Sequence, residues 1–280
     1  MNEVHCAPAS LPGLPGDARL PINHCNLPAK ILGSLTYQRH PAALMLDGVD
    51  VLHADLFERL NKLINPVVRA RHFMDYMTVH FRLEALEDAG LTPGTGHARP
   101  KANYLRVLRG WMFDSEGREG AVLKGWVESR FGLLARYHRG PLGRDVDDND
   151  LHYLQERASG TYNTNALEAQ LDLLYTYCQY ELARQQPDRQ WLSLYRGTNG
   201  IGEHDWIVRE GTTGIVLLNN INSFSASPER ADEFGDTVLK AEVPVTKVFC
   251  HAGLLPGVLG GEDEYLVLGG LYEVEPSAAV

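Results

Sequence analysis

At Pro187 the chain changes its hydrophobic period, and this constrains its fold more than any other feature. Before that point apolar residues recur every three or four positions, the spacing that gathers side chains on one face of an α-helix. Leu56, Leu60 and Leu63 predict one helix. Pro66 suits the first turn of a second, running through RARHFMDYMTVHFRLEALEDAG to a stop at Gly90. Tyr104, Leu105, Leu108, Trp111 and Met112 repeat the period, as do Val122, Leu123, Trp126 and Val127. The clearest helix is NALEAQLDLLYTYCQYELARQQ, with Thr164 or Asn165 placed to cap it and Cys178 on its packed face.

After Pro187 the pattern becomes short runs rich in β-branched and aromatic residues: WLSLYRG, DWIVREG, TGIVLLNNI, the run around VPVTKVFC, and EYLVLGGLYEV. Among them only SPERADEF reads as helical, with Ser227 as its cap and Pro228 in the first turn. Helices first and strands afterwards predict an α+β architecture rather than a doubly wound sheet. Residues 1–20, rich in Pro, Gly and Ala, read as a flexible lead-in. Residues 21–280 then form a single domain, mainly helical over 21–186 and β-rich over 187–280.

Composition removes several function classes. A formal net charge of −10 disfavours a sequence-independent nucleic-acid binder, which needs a cationic face to displace counterions. There is no apolar run of about 18 residues and no cationic leader at the amino terminus, so the expected location is the cytoplasm. Cys6, Cys25, Cys178 and Cys250 lack the short paired spacing of a disulfide framework or zinc knuckle and are expected as reduced thiols. The dipeptides His5-Cys6 and His24-Cys25 offer soft ligands, but neighbours in sequence seldom point at one ion, and no metal site is expected. DVDDND, residues 145–150, lacks the glycine and terminal glutamate of a calcium loop and reads as a solvated acidic loop. The glycines of RGTNGIGEHDW read as turn glycines rather than a phosphate loop.

Three stretches of the β-rich part carry chemistry. Arg196 ends an apolar strand just before Gly197 and could clamp a phosphate or pair with a carboxylate. Ser223 and Ser225 leave the next long strand, and Ser225 has no evident structural duty. Glu262 and Glu264, two apart in GGEDEYLVLGG, can point to the same side of a strand while Asp263 faces away. In this order, strand-Arg-Gly, Phe-Ser-Ala-Ser and Glu-x-Glu resemble the Arg-Ser-Glu signature of the arginine-specific mono-ADP-ribosyltransferases, and the likeness extends to Phe234-Gly235. INHCNLPAKILGSLTYQRHPAALMLDGV, LYRGTNG and SFSASPERADEFG are similar to the branch of that family found in nitrogen-fixing bacteria.

The resemblance implies two small sheets around a cleft for NAD as co-substrate, with the helical half packed on them. Within it, Glu264 would steady the ribose cation, Ser225 would hold Glu264, and Glu262 would orient and deprotonate an arginine of a target protein. Arg196 would hold the phosphates, the main chain of Gly197 would hold the nicotinamide amide, and Ser225, Phe234 and Glu264 would complete the cofactor site. FCHAGLLPGVLGGED corresponds to the family's target-recognition turns, and its leucines suit a mobile docking loop. The implied target is the iron protein of nitrogenase, with control by a PII signalling protein and reversal by a separate glycohydrolase. Two other readings remain at this level: a nucleotide-binding module with the same fold but no turnover, and a glycoside hydrolase using Glu262 and Glu264 as its acid/base pair.

Overall fold

The computed structural model describes residues 12–83, 102–143, 148–162, 164–199, 206–210, 212–257 and 263–278. Ten α-helices and six β-strands lie within them, and the order is α+β as the change of period requires. Helices α1 (Ala29–Leu32), α2 (Leu35–Arg39) and α3 (Val49–Leu52) are single turns. The longer helices are α4 (Ala54–Asn61), α5 (Pro66–Phe81), α6 (Tyr104–Phe113), α7 (Arg118–Phe131), α8 (Asp148–Gly160) and α9 (Ala166–Gln185).

Their ends follow local chemistry. Asn65 caps α5 by accepting from Val67 N at 2.8 Å with Pro66 at the first helical position. That helix ends at Phe81, where Arg82 turns left-handed at φ 53°, and not at Gly90, which lies outside the described residues. Asn103 caps α6 through Leu105 N at 2.9 Å. Of the two candidate caps for α9, Thr164 makes a bond, accepting from Ala166 N at 3.1 Å. Cys178 is fully buried on this helix, and burial pushes its thiol well up. Of the acidic run expected as a loop, residues 148–150 instead open α8, with Asp148 and Asp150 in its first turn, while residues 145–147 lie outside the described residues. Carboxylates there meet the positive end of the helix dipole.

The strands are β1 (Trp191–Thr198), β2 (Trp206–Glu210), β3 (Thr213–Ser225), β4 (Thr237–Pro244), β5 (Val248–His251) and β6 (Glu264–Ala278); the one α-helix among them is α10 (Pro228–Asp232). Ser227 caps α10 by accepting from Arg230 N at 3.2 Å. The strands do not separate into two small sheets. They form one six-stranded sheet in the order β2-β3-β1-β4-β6-β5, and a further pairing of β3 with β6 closes β3, β1, β4 and β6 into a barrel. All pairings are antiparallel. Closure needs a strand that bends: β6 pairs with β3 along one edge and with β5 and then β4 along the other. The bend falls at Gly269 and Gly270. A side chain on Gly269 would overlap the Asn219 carbonyl, and Gly270 has φ 108°.

Between its contacts with β5 and β4, the edge of β6 is completed by the amino-terminal helices. Leu271 N donates to Gly33 O at 2.8 Å. The Gln38 amide accepts from Glu273 N at 2.7 Å and donates to the carbonyls of Glu273 and Glu242. One amide side chain therefore stands in for a missing strand neighbour. The packed chain also begins earlier than composition suggests: Leu14 and Ala18 are buried, and Leu20 N donates to Gly132 O at 2.7 Å. A single apolar cluster runs from Leu14 through α5, α6, α7 and α9 to Val274, so both halves of the chain share a core. No helix among the described residues is long and apolar enough to cross a membrane.

Candidate active site

Three strand ends meet where the sequence placed its chemistry. Tyr195 of β1 and Glu264 of β6 both lie opposite Ser225 of β3, so the ends of all three strands share one edge of the barrel. Arg196 Nη1 donates to the Ser223 carbonyl at 2.8 Å. Arg196 is half-buried, and desolvation moves its pKa down without discharging it. Ser223 Oγ donates to Glu264 Oε1 at 2.8 Å. Burial raises the pKa of Glu264, and the Ser223 hydrogen bond acts against that rise.

The hydroxyl in contact with Glu264 therefore belongs to Ser223, not Ser225. Ser225 Oγ accepts from Ser227 N at 3.1 Å and shapes the turn into α10. The two serines share a face of β3, and the bond runs diagonally across the pair, because Ser225 and not Ser223 is directly opposite Glu264. The approach to Glu264 is fixed from the other side as well. Ala226 N donates to Asp263 O at 3.2 Å, with Asp263 left-handed at φ 62°. Glu262 lies outside the described residues.

Glycine is required on β1 for a packing reason. A side chain on Gly197 would overlap the Ala231 carbonyl of α10, and one on Gly235 would overlap the backbone of Thr198. Helix α10 thus lies directly on β1, and Phe234, just beyond it, projects 71% exposed. After β5, Leu254 and Leu255 are buried, so these leucines belong to the core rather than to a docking loop. The remainder of that loop, residues 258–262, lies outside the described residues. His251 stacks on Tyr265 beside Glu264, with centroids 5.5 Å apart, and burial lowers its pKa to about 4. It is neutral near pH 7.

The helical half reaches this edge too. Trp111 of α6 donates its indole N–H to Ser223 Oγ at 3.0 Å. Over its ring, at 5.9 Å, lies the ammonium of Lys124 from α7. Lys124 is buried, pairs with Glu116 at 2.8 Å and donates to His138 Nδ1 at 3.1 Å, while desolvation lowers its pKa. His138 must then carry its proton on Nε2, which meets Glu156 at 2.7 Å. Asn220 ties the two halves together by donating to the Lys124 and Leu133 carbonyls. Trp111 and Lys124 appear in the sequence only as members of amphipathic helices, and nothing local separates them from packing residues.

The rest of the chain offers no competing metal centre among the described residues, where no group of three His, Cys, Asp or Glu gathers. Cys25 instead donates to the Leu27 carbonyl at 3.1 Å, and His5-Cys6 lies outside the described residues.

Comparison with known proteins gives two matches in agreement. The family described as dinitrogenase reductase ADP-ribosyltransferase matches residues 22–276. The chain is also similar to NAD(+)--dinitrogen-reductase ADP-D-ribosyltransferase of Rhodospirillum rubrum, 40% identical over 260 residues that cover 91% of this chain and 94% of the relative. No solved structure matches.

Proposed function

This chain belongs to the dinitrogenase reductase ADP-ribosyltransferase family, and from that premise we propose that it transfers ADP-ribose from NAD to an arginine of dinitrogenase reductase, the iron protein of nitrogenase. The observation that carries the reading is the meeting of Arg196, Ser223 and Glu264 at one edge of the barrel.

The bond to be broken joins nicotinamide to ribose. The leaving group departs from a cationic pyridinium as a neutral base, so no general acid is needed. Positive charge develops on the sugar as the bond lengthens, and the useful catalyst is a fixed carboxylate beside it in a site poor in water. Glu264 meets that description: it is largely enclosed, and the Ser223 hydroxyl fixes one of its oxygens. Desolvation strengthens its attraction for the sugar cation while the hydrogen bond favours its ionised form. Arg196 supplies positive charge for the phosphates, its orientation set by the β3 carbonyl it already binds. Gly197 would offer main-chain groups to the nicotinamide amide, and exposed Phe234 an aromatic surface to the cofactor.

The acceptor is a guanidinium, unreactive while charged. Glu262 would orient it and take its proton as the new carbon–nitrogen bond forms. An anionic adduct on the iron protein would hinder docking of that protein's electron-transfer partner. Control by a PII signalling protein and removal by a glycohydrolase belong to the same proposal.

The test is transfer of labelled ADP-ribose from NAD to the iron protein. Glu264→Gln should lower turnover on the order of 10²-fold or more with NAD affinity kept within about threefold, because the lost charge acts mainly in the transition state. Turnover equal to the parent's would discard the assignment. NAD binding by the parent chain without nicotinamide release would favour a binding module. Glu262→Gln should lose transfer to arginine yet keep some hydrolysis of NAD by water, and equal loss of both reactions would refute that division of labour.

A further inference from the structure

We infer that Trp111, supplied by the helical half, is a positioning residue for Glu264: its indole N–H fixes the direction of the Ser223 hydroxyl so that the hydroxyl proton is given to the carboxylate. The inference rests on the ADP-ribosyl-transfer reading only in assigning a reaction to Glu264; the hydrogen-bond claim stands on geometry.

An indole N–H can donate but not accept, whereas a serine hydroxyl has one proton and two acceptor positions. With Trp111 Nε1 3.0 Å from Ser223 Oγ, the oxygen accepts there. Its single proton is then directed at Glu264 Oε1, 2.8 Å away. Only an ionised or appropriately turned carboxylate oxygen accepts that proton, so the pair favours the charged form of Glu264. Trp111 is itself buried in α6, and the Lys124 ammonium lies over its ring, which limits its freedom to turn away. Without the indole N–H the hydroxyl could rotate, and burial of Glu264 would meet less opposition.

Other titratable or charged groups approach this point from each element around it. They are Arg196 on β1, Lys124 on α7 with Glu116, Asp114 and His138 about it, Cys250 and His251 on β5, and Asp263 and Tyr265 beside Glu264. Trp111→Phe changes none of them and keeps an aromatic ring beneath Lys124. A shift in that variant is therefore attributable to the lost N–H.

Two measurements on the full chain test the claim. The first is the titration of the Glu264 carboxyl by carbon NMR of glutamate-labelled protein, assigned by the signal missing in Glu264→Gln. The second is the acid limb of kcat/KM for nicotinamide release from NAD with the iron protein present. Trp111→Phe should move both upward by about half a pH unit to one unit, the size expected when one hydrogen bond is lost, with KM for NAD changed less than about twofold. Ser223→Ala should produce a shift of the same sign, and adding Trp111→Phe to Ser223→Ala should move neither measurement further. Benzothienylalanine at Trp111, which keeps the bicyclic shape but lacks the N–H, should reproduce the shift where Phe disturbs packing. Curves that overlay the parent's, or a Trp111→Phe shift equally large without the Ser223 hydroxyl, would overturn the proposal. Absence of nicotinamide release by the parent would refute the reaction, while the carboxyl titration would still decide the role of Trp111.

Discussion

Lys247 carries its ammonium into the wall of the barrel, where it donates to the Gly269 carbonyl at 2.9 Å and lies 4.5 Å from the Tyr272 ring centroid. Burial pushes its pKa down to about 7. The native state then binds fewer protons than the unfolded chain between about pH 7 and the ordinary lysine value, so stability rises with pH across that window. The cost of burying the charge is greatest below it. Compared with Lys247→Met, which cannot titrate, the parent should gain about 2 kcal/mol between pH 7.5 and 9.5, read from urea unfolding at both values. A difference that ignores pH would show the ammonium to remain charged. At this same scale strand parity and a following glycine singled out Glu264 and Arg196 as candidates, and both lie at the shared edge of the barrel. It could not separate Ser223 from Ser225: both occupy one face of β3, and the twist of the strand pair decides which hydroxyl reaches the carboxylate.

Elements were legible wherever their ends carried a chemical signal. Pro66 and Ser227-Pro228 announced α5 and α10; the Ser227 cap forms, and Asn65 adds a cap before Pro66. Helix α8 was missed because its acidic start reads as a loop unless the helix dipole is considered. The packing of α5 on α9 was hidden for a different reason: it depends on a charged residue that the apolar pattern does not count. Arg69 of α5 is 3% exposed and forms a two-pronged pair with Glu181 of α9, at 2.6 and 2.7 Å, while its remaining arm donates to the Leu63 and Ile64 carbonyls. Glu181→Ala would leave a guanidinium buried without its carboxylate and should destabilise the fold by about 3–5 kcal/mol in denaturant unfolding. Replacing both partners by apolar residues of similar volume should recover most of that loss. If the single change cost under about 1 kcal/mol, water must reach Arg69.

For the whole molecule, the change of period at Pro187 revealed the order of helices and strands but not how they close. Barrel closure depends on a long β6 that bends at Gly269-Gly270 and on the diagonal meeting of three strand ends, neither of which has a local pattern. The contribution of the helical half to the candidate site was equally hidden, since Trp111 obeys the same helical spacing as its purely structural neighbours.

Gly33 and Gln38 have a wider consequence. Because these residues take hydrogen-bonding positions along β6, segments more than 200 positions apart in the sequence are knitted into one ladder. A ribosome must release Glu273 before that ladder can be finished, so the reactive edge cannot mature ahead of the helices that frame it.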